Sequence, residues 1–278
     1  MQHLARSVHA RCEAGRRKAG LPALFDAMTR RAGVFAIAWV IFLTVLATGC
    51  GPSYSTEGMN RPEMERLADQ VFREDRWYRV SLLYTELMFR FPGAPRTDMY
   101  LYRLAWSEME QKHWADAEFN FRRVTREFPN SLYADDAQLG LVECYWRQRK
   151  DYRRDVTPVE KALEELAVFY ENYPGSDLTD SAEELRRSIY DIMARRALYI
   201  GRFYARRDEL DAALLYLQEA SHDFDSPSCS GEIYLAMADI YLKLGNEYSA
   251  RNFYQKALRE DDLDEDQSEH ARLRLESL

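Results

Sequence analysis

The side chains that could carry out covalent or metal chemistry are few in this sequence and widely spaced. His113, His222 and His270 do not stand at metal-ligand spacing, and the acidic pairs Asp135-Asp136 and Glu164-Glu165 fall on predicted helix starts or solvent faces. The sequence contains no CxxC, HExxH or GxSxG motif and no glycine-rich phosphate loop. Because no nucleophile is placed beside a base, we predict a protein that is not an enzyme and that binds neither a metal nor a dissociable cofactor.

Cys50 is the one residue whose surroundings predict a covalent modification. It follows the basic pair Arg30-Arg31 and an uncharged run that ends in Ala47-Thr48-Gly49, a combination typical of a secretory signal. A cysteine at this point resembles the lipobox of bacterial lipoproteins. That resemblance implies cleavage before Cys50 and attachment of lipid to its sulfur and its new amino group, and Gly51 implies delivery to the outer membrane. The alternative is an uncleaved transmembrane anchor, since about 18 apolar residues are close to the length of a span.

The chain divides into an export signal and a longer helical part. Residues 1–49 form the predicted signal peptide. Because the segment from Met28 alone makes a lipoprotein signal of ordinary length, we expect translation to start there and residues 1–27 to be an upstream artefact. The rest is predicted to contain a polar flexible tether, a repeat region and a C-terminal capping helix, at residues 50–62, 63–263 and 264–278 respectively.

The charge is distributed unevenly along the chain. The whole sequence has a net charge of -8, but residues 1–49 hold seven basic and two acidic side chains, so residues 50–278 carry -13. A surface this acidic repels phosphate backbones, and we predict no nucleic-acid binding. With 46% hydrophobic residues the chain has ample material for a core.

Two cysteines remain in the mature chain once the segment with Cys12 is removed and Cys50 carries lipid. Cys144 lies on an apolar helical pattern, where a buried free thiol is common. We therefore expect Cys144 and Cys229 to be free, the alternative being a disulfide in the oxidising periplasm.

The helical part repeats one pattern five times. An aromatic or aliphatic residue opens the second helix of each unit, and in the first three units an aromatic-Pro turn closes it. The five spans are Trp77 to Phe91-Pro92, Trp114 to Phe128-Pro129, Val159 to Tyr173-Pro174, Leu210 to Phe224, and Tyr248 to Asp262. This spacing resembles the tetratricopeptide (TPR) repeat, a helix-turn-helix unit of about 34 residues. The predicted fold is an all-α TPR solenoid of about five repeats.

Two irregularities interrupt the repeats. A charged insertion, Arg149 to Val156, is predicted to be a solvent loop, and Thr157-Pro158-Val159-Glu160 after it matches a capping box. Ser181 to Arg206 contains no Pro and predicts one long helix before the fourth repeat.

Two sets of side chains are candidates for binding partners. The first helices of a TPR stack line a concave groove, and projecting the pattern onto units one to three places six residues there: Phe72, Arg73, Tyr102, Trp106, Met109 and Tyr145, with Cys144 beside the last. Trp106 and Tyr102 are rigid anchors of the kind that supplies binding energy, although Trp106 could instead pack into the neighbouring repeat. Arg202 and Arg206 in the long helix could form ion pairs with a partner's acidic residues, the alternative being an ordinary solvated face.

The lipobox, the five units, the aromatic-Pro turns, the insertion in unit three and the long helix together resemble one family. It is the BamD (YfiO, ComL) family of outer-membrane lipoproteins. The resemblance implies a lipid-anchored protein on the periplasmic face of the outer membrane. Its implied partners are the barrel-forming outer-membrane assembly subunit, other assembly lipoproteins and the C-terminal strands of unfolded outer-membrane proteins. The alternative is another TPR lipoprotein scaffold, a pilotin or a cell-wall or division coordination factor.

Overall fold

Eleven α-helices account for the regular structure of residues 55–224 and 227–278, the part of the chain that a computed structural model describes. The signal peptide, Cys50 and most of the tether lie outside these residues. The chain separates into residues 1–58, of which the described part is a short turn, and residues 59–278, which contain the helices. The helices are α1 (Arg61–Arg73), α2 (Trp77–Arg90), α3 (Thr97–Glu110), α4 (Trp114–Glu127), α5 (Ala134–Arg147), α6 (Thr157–Asn172), α7 (Thr179–Arg206), α8 (Leu210–His222), α9 (Ser230–Lys243), α10 (Glu247–Ala257) and α11 (Glu265–Ser277).

The helices pack in sequence order, as the all-α TPR prediction requires. Helices α1/α2, α3/α4, α5/α6, the second half of α7 with α8, and α9/α10 form five antiparallel pairs, and each pair packs on the next. The core lies between the two helices of a pair and the first helix of the following pair. The predicted fold class is confirmed.

Small residues let helices approach closely, both within a pair and between successive pairs. Gly140 of α5 lies against the ring of Phe121, and Gly201 of α7 lies against Leu217 and the backbone of Ala213, so that a Cβ at either glycine would meet a neighbouring atom at under 3.0 Å. The repeat pattern of the sequence therefore determines how closely the helices pack as well as which side chains are buried.

The long helix α7 serves two repeats. Its first half contributes Ala182 and Ile189 to the core of the third repeat, and its second half contributes Ala194 and Leu198 to the core it shares with α8. It ends at Arg206, where the pattern predicts. One continuous helix therefore contributes to the cores of two successive repeats and connects them.

The insertion differs from the predicted solvent loop in two respects. Val156 is buried, and the Arg196 guanidinium of α7 donates hydrogen bonds to the carbonyl oxygens of Tyr152 (3.0 Å) and Arg154 (2.7 Å), so α7 holds the loop.

The capping box predicted at the start of α6 is wrong. Thr157 is already the first helical residue, and the residue before it, Val156, offers no side-chain cap. The Thr157 N–H instead donates to Oδ1 of Asp155 at 3.0 Å.

Capping boxes close the two ends of the helical unit. Asn60 and Glu63 form one at the start of α1, and Asp264 and Gln267 form one at the start of α11. The Arg90 guanidinium at the end of α2 donates to the carbonyl oxygen of Met59 at 2.8 Å. The point where the chain enters the solenoid is thereby fastened to the last turn of α2.

Candidate functional sites

The first predicted groove residues, Phe72 and Arg73, lie at the end of α1. Phe72 is half-buried because the Trp77 ring meets it edge-on at 5.6 Å between centroids and the Arg103 guanidinium lies 5.0 Å from its centroid. Arg103 is itself oriented by an ion pair to Asp69. Arg73 is exposed.

Tyr102 and Trp106 of α3 form the centre of the predicted groove. Both are half-buried, and Tyr102 stacks on Tyr133 with ring centroids 5.3 Å apart. The Arg147 guanidinium of α5 lies 5.8 Å from the Trp106 ring, so the next repeat partly covers this indole. Burial raises the pKa of the Tyr102 hydroxyl, which therefore remains protonated and can act as a hydrogen-bond donor.

Met109 and Tyr145 do not lie on an open groove. Met109 is 0% exposed and belongs to the core between α3, α4 and α5, and Tyr145 is 5% exposed in the core of the third repeat. The Arg122 guanidinium donates to the Tyr145 hydroxyl at 3.1 Å and pairs with Glu165 at 2.6 Å, and burial raises the pKa of Tyr145 to about 12. The projection failed here because both side chains point into the cores between helices and not into the groove.

Both remaining cysteines are free and buried, as the sequence predicts. Cys144, expected beside the groove, is 0% exposed, and its thiol lies 3.7 Å from the carbonyl oxygen of Trp114. Burial raises the pKa of each thiol to about 12, which favours the unreactive protonated form.

A second candidate site is an open cavity of about 560 Å³ near the C-terminus. Its walls come from three helices: the last turn of α7 with Arg202 and Arg206, α9, and α11. Leu235 and Ile240 form an apolar floor. The C-terminal capping helix therefore completes a binding cavity as well as covering the last repeat.

The rim of this cavity is cationic. Arg206 is joined there by Lys243 from α9 and Arg274 from α11, and within the described residues none of the three forms an ion pair or a side-chain hydrogen bond. Arg202 differs, since its guanidinium pairs with the Glu232 carboxylate at 2.7 Å and so links α7 to α9. Three cations without an ion-pair partner among the described residues therefore lie around an apolar floor.

The one carboxylate in the cavity wall is already occupied by other groups. Asp239 Oδ1 accepts a hydrogen bond from the Tyr254 hydroxyl at 2.6 Å and lies 2.9 Å from His270 Nε2. Burial raises the pKa of Tyr254, which keeps its hydroxyl a donor. Asp239 thus ties α9, α10 and α11 together and leaves the rim cations available to a ligand.

Sequence reasoning missed Lys243 and Arg274. They lie 37 and 68 residues after Arg206 and on different helices, so no local spacing connects them. The available signal was Arg206 alone, at the end of the long helix. Among the described residues there is no group of three or more His, Cys, Asp or Glu side chains arranged to hold a metal, and no helix long and apolar enough to cross a membrane.

Comparison with known proteins agrees with this fold. The profile of the family described as "Outer membrane lipoprotein" (YfiO) matches residues 146–256, and a tetratricopeptide-repeat profile matches residues 100–131. The outer membrane protein assembly factor BamD of Caulobacter vibrioides is 27% identical over 186 residues, which cover 66% of this chain and 61% of that protein. The chain is therefore similar to BamD proteins, and part of it matches the TPR repeat.

Other comparisons extend over more of the chain. BamD of Xylella fastidiosa is 19% identical over 233 residues, covering 79% of this chain and 80% of that one. Among solved structures, a thermophilic TPR protein of Thermus thermophilus covers 78% of this chain at 22% identity, with a TM-score of 0.35. The resemblance to BamD that the irregular repeats indicate is confirmed, and the YfiO match includes the long helix α7.

Proposed function

We propose that this BamD-like chain is a non-catalytic scaffold for assembling β-barrel proteins in the outer membrane. In this proposal lipid on Cys50 holds it at the periplasmic face, and it binds the barrel-forming assembly subunit together with other assembly lipoproteins. The names of the relatives, outer membrane protein assembly factors, support the general role. Five stacked repeats with an open cavity and no metal cluster among the described residues suit binding better than chemistry.

The observation that carries the proposal is the cationic rim of the C-terminal cavity. Arg206, Lys243 and Arg274 present three cations without internal partners above an apolar floor. A folded domain with surface carboxylates satisfies both features, because guanidinium groups bind carboxylates in a bidentate way and the floor buries an adjacent apolar side chain.

The structure gives Arg202 a different role from the one that the sequence suggested. Sequence reasoning proposed it as a partner contact, but its pair with Glu232 gives it an internal role at the α7–α9 contact. Arg206 keeps the proposed role of contacting the partner.

Unfolded outer-membrane proteins are the second proposed ligand. Phe72, Tyr102 and Trp106 are each partly exposed. The C-terminal strands of the unfolded proteins are expected to dock aromatic side chains against these three rings. Arg147 above Trp106 is itself paired with Glu110 at 2.6 Å, so the indole has a fixed environment.

Charge reversal tests the partner site. Arg206→Glu combined with Arg274→Glu is expected to reduce co-purification of the barrel-forming subunit from detergent-solubilised membranes. The difference from wild type should be largest at low salt and should shrink as salt is added, because salt screens the charges of the rim. Arg251→Glu, an exposed arginine of α10 outside the cavity, is the matched control and is expected to leave co-purification unchanged. Equal effects of the cavity variant and the control would refute the cavity as the partner site.

Aromatic truncation tests the substrate surface separately. Trp106→Ala is expected to weaken binding of a peptide with an outer-membrane protein's C-terminal sequence by roughly tenfold, while leaving co-purification with the assembly subunit intact. Loss of both activities in either variant would contradict two separate sites.

A further inference from the structure

The outer face of α2 carries an exposed stripe that no helix of the solenoid covers. Tyr78, Leu82, Thr85 and Phe89 are spaced by four, three and four residues, which places them on one side of the helix. Tyr78 is 70% and Phe89 is 85% exposed. We call these four residues the α2 stripe. It holds no charged side chain, although the mature chain carries -13.

The equivalent positions of the third repeat have the opposite character. Aligning Val159 with Trp77 places Glu160, Glu164, Ala167 and Glu171 where the α2 stripe has Tyr78, Leu82, Thr85 and Phe89. All four third-repeat residues are exposed. The same outer face therefore changes from apolar and aromatic in the first repeat to acidic in the third.

The second repeat is intermediate between these two. Phe119 of α4 occupies the position of Leu82 and is 62% exposed, and the Arg123 guanidinium lies 5.9 Å from its ring centroid. Arg122 and Arg126 occupy the positions of Thr85 and Phe89. Aromatic side chains beside arginines are typical of protein surfaces at the boundary between lipid headgroups and acyl chains.

The α2 stripe also lies beside the point where the tether leaves the solenoid. The Arg90 guanidinium, adjacent in sequence to Phe89, binds the Met59 carbonyl oxygen. Ten residues separate Cys50 from α1, a span of at most about 36 Å when fully extended. A lipid at Cys50 therefore keeps the first repeat within that distance of the bilayer and leaves the acidic third repeat free to face away.

We infer that the α2 stripe docks on the phospholipid surface to which the chain is tethered. This inference rests on the proposed lipid anchor at Cys50. The bilayer is the occupant that fits for three reasons. The tether brings it near, and the stripe itself offers aromatic, aliphatic and hydroxyl side chains, with the flanking Glu86 carboxylate paired to Arg90 at 3.1 Å. The equivalent positions become acidic farther along the solenoid, in the third repeat. Docking of this kind buries an apolar face about 5–10 Å into the headgroup boundary and fixes how the protein stands on the membrane.

Tryptophan placed at Phe89 reports this contact. The mature lipidated protein carrying Phe89→Trp is reconstituted into phosphatidylethanolamine–phosphatidylglycerol vesicles that contain lipid brominated in the acyl chain. We expect a larger fractional loss of the added tryptophan emission than in Glu171→Trp, the matched position in the third repeat. A second control, Tyr248→Trp, starts from an aromatic residue that is 82% exposed at the far end of the chain.

Vesicle flotation, measured on the same samples, separates failure of the docking surface from failure of the anchor. Protein that floats with the vesicles but shows equal quenching at Phe89→Trp and both controls would overturn the docking surface and leave the lipid anchor standing. Protein that does not float would overturn the anchor and this inference together. Protection of Phe89→Trp from an aqueous quencher without quenching by brominated lipid would identify a protein segment as the occupant, which also overturns the inference.

Discussion

Replacing Gly140 by alanine should destabilise this protein, against the expectation from helix propensity alone. In an exposed helix interior the change stabilises by about 0.8–1.0 kcal/mol, because glycine loses more backbone entropy on folding. Gly140, however, lies inside α5 facing the ring of Phe121. A Cβ at this position would lie 2.7 Å from two ring carbons and 3.1 Å from a third.

The structure sets the size of this effect. Carbon atoms pack favourably at about 3.5–4.0 Å, so the two closest contacts are about 1 Å too short. Phe121 is fully buried between α3, α4 and α5, so its ring has no free space into which to move. Overpacking costs about 1–3 kcal/mol, and a fully buried ring places this site in the upper part of that range, at about 2–3 kcal/mol. Subtracting a propensity gain of about 1 kcal/mol leaves a net loss of about 1–2 kcal/mol.

Thermal and urea unfolding followed by far-ultraviolet circular dichroism measure this loss. At about 2–4 °C per kcal/mol for a domain of this size, we expect Tm to fall by about 2–8 °C. Gly175→Ala is the control, because a Cβ there meets nothing within 4 Å and the residue is in a turn.

A double-mutant cycle identifies the cause. Phe121→Leu removes the ring, so Gly140→Ala should cost less in that background than in wild type, with a coupling of about 1 kcal/mol. The close-approach argument would be refuted if Gly140→Ala were as stable as wild type. It would also be refuted if Gly140→Ala lowered the unfolding free energy by the same amount in the Phe121→Leu background as in wild type.

Three further predictions concern the anchor, the second repeat and the insertion. Cys50→Ala is expected to release the protein from membranes into the soluble periplasm; continued membrane retention would indicate a transmembrane anchor. Burial raises the pKa of Glu108, whose carboxylate accepts a hydrogen bond from Asn120 at 2.8 Å, to about 7. The folded state therefore keeps this proton after the unfolded state has lost it, and the unfolding free energy should fall as pH rises from about 4.5 to about 7. Glu108→Gln should remove on the order of 1 kcal/mol of that fall, measured by urea unfolding at both ends of the range. Arg196→Met should speed amide hydrogen exchange in the insertion loop, because it removes two hydrogen bonds to loop carbonyl oxygens. An unchanged exchange rate would show that the loop conformation does not depend on Arg196.

The sequence was sufficient to predict the repeats. Residues three and four apart share a helical face, so the apolar pattern fixed the register of each helix, and the absence of Pro between Ser181 and Arg206 indicated the long helix that the structure contains. The buried state of Cys144 follows from the same local periodicity.

Contacts between non-adjacent segments were not predictable in this way. Met109 and Tyr145 matched the groove pattern but lie in the cores between helices, because the helical period specifies a direction around one helix and not which neighbour lies there. The cap on α6 depends on one hydrogen bond that the Asp155 carboxylate accepts from the Thr157 N–H, which propensity does not distinguish from a Thr157 cap.

The two proposed binding surfaces show where sequence information ends. The α2 stripe is a local pattern, so its composition can be read from the sequence once the repeats are aligned, although its exposure cannot. The cavity rim joins Arg206, Lys243 and Arg274 from three helices separated in the chain. Each charge is visible in the sequence, but their convergence is decided by how α7, α9 and α11 pack. Local spacing determines where the helices lie in the sequence, and only tertiary packing determines which unpaired charges from different helices come together.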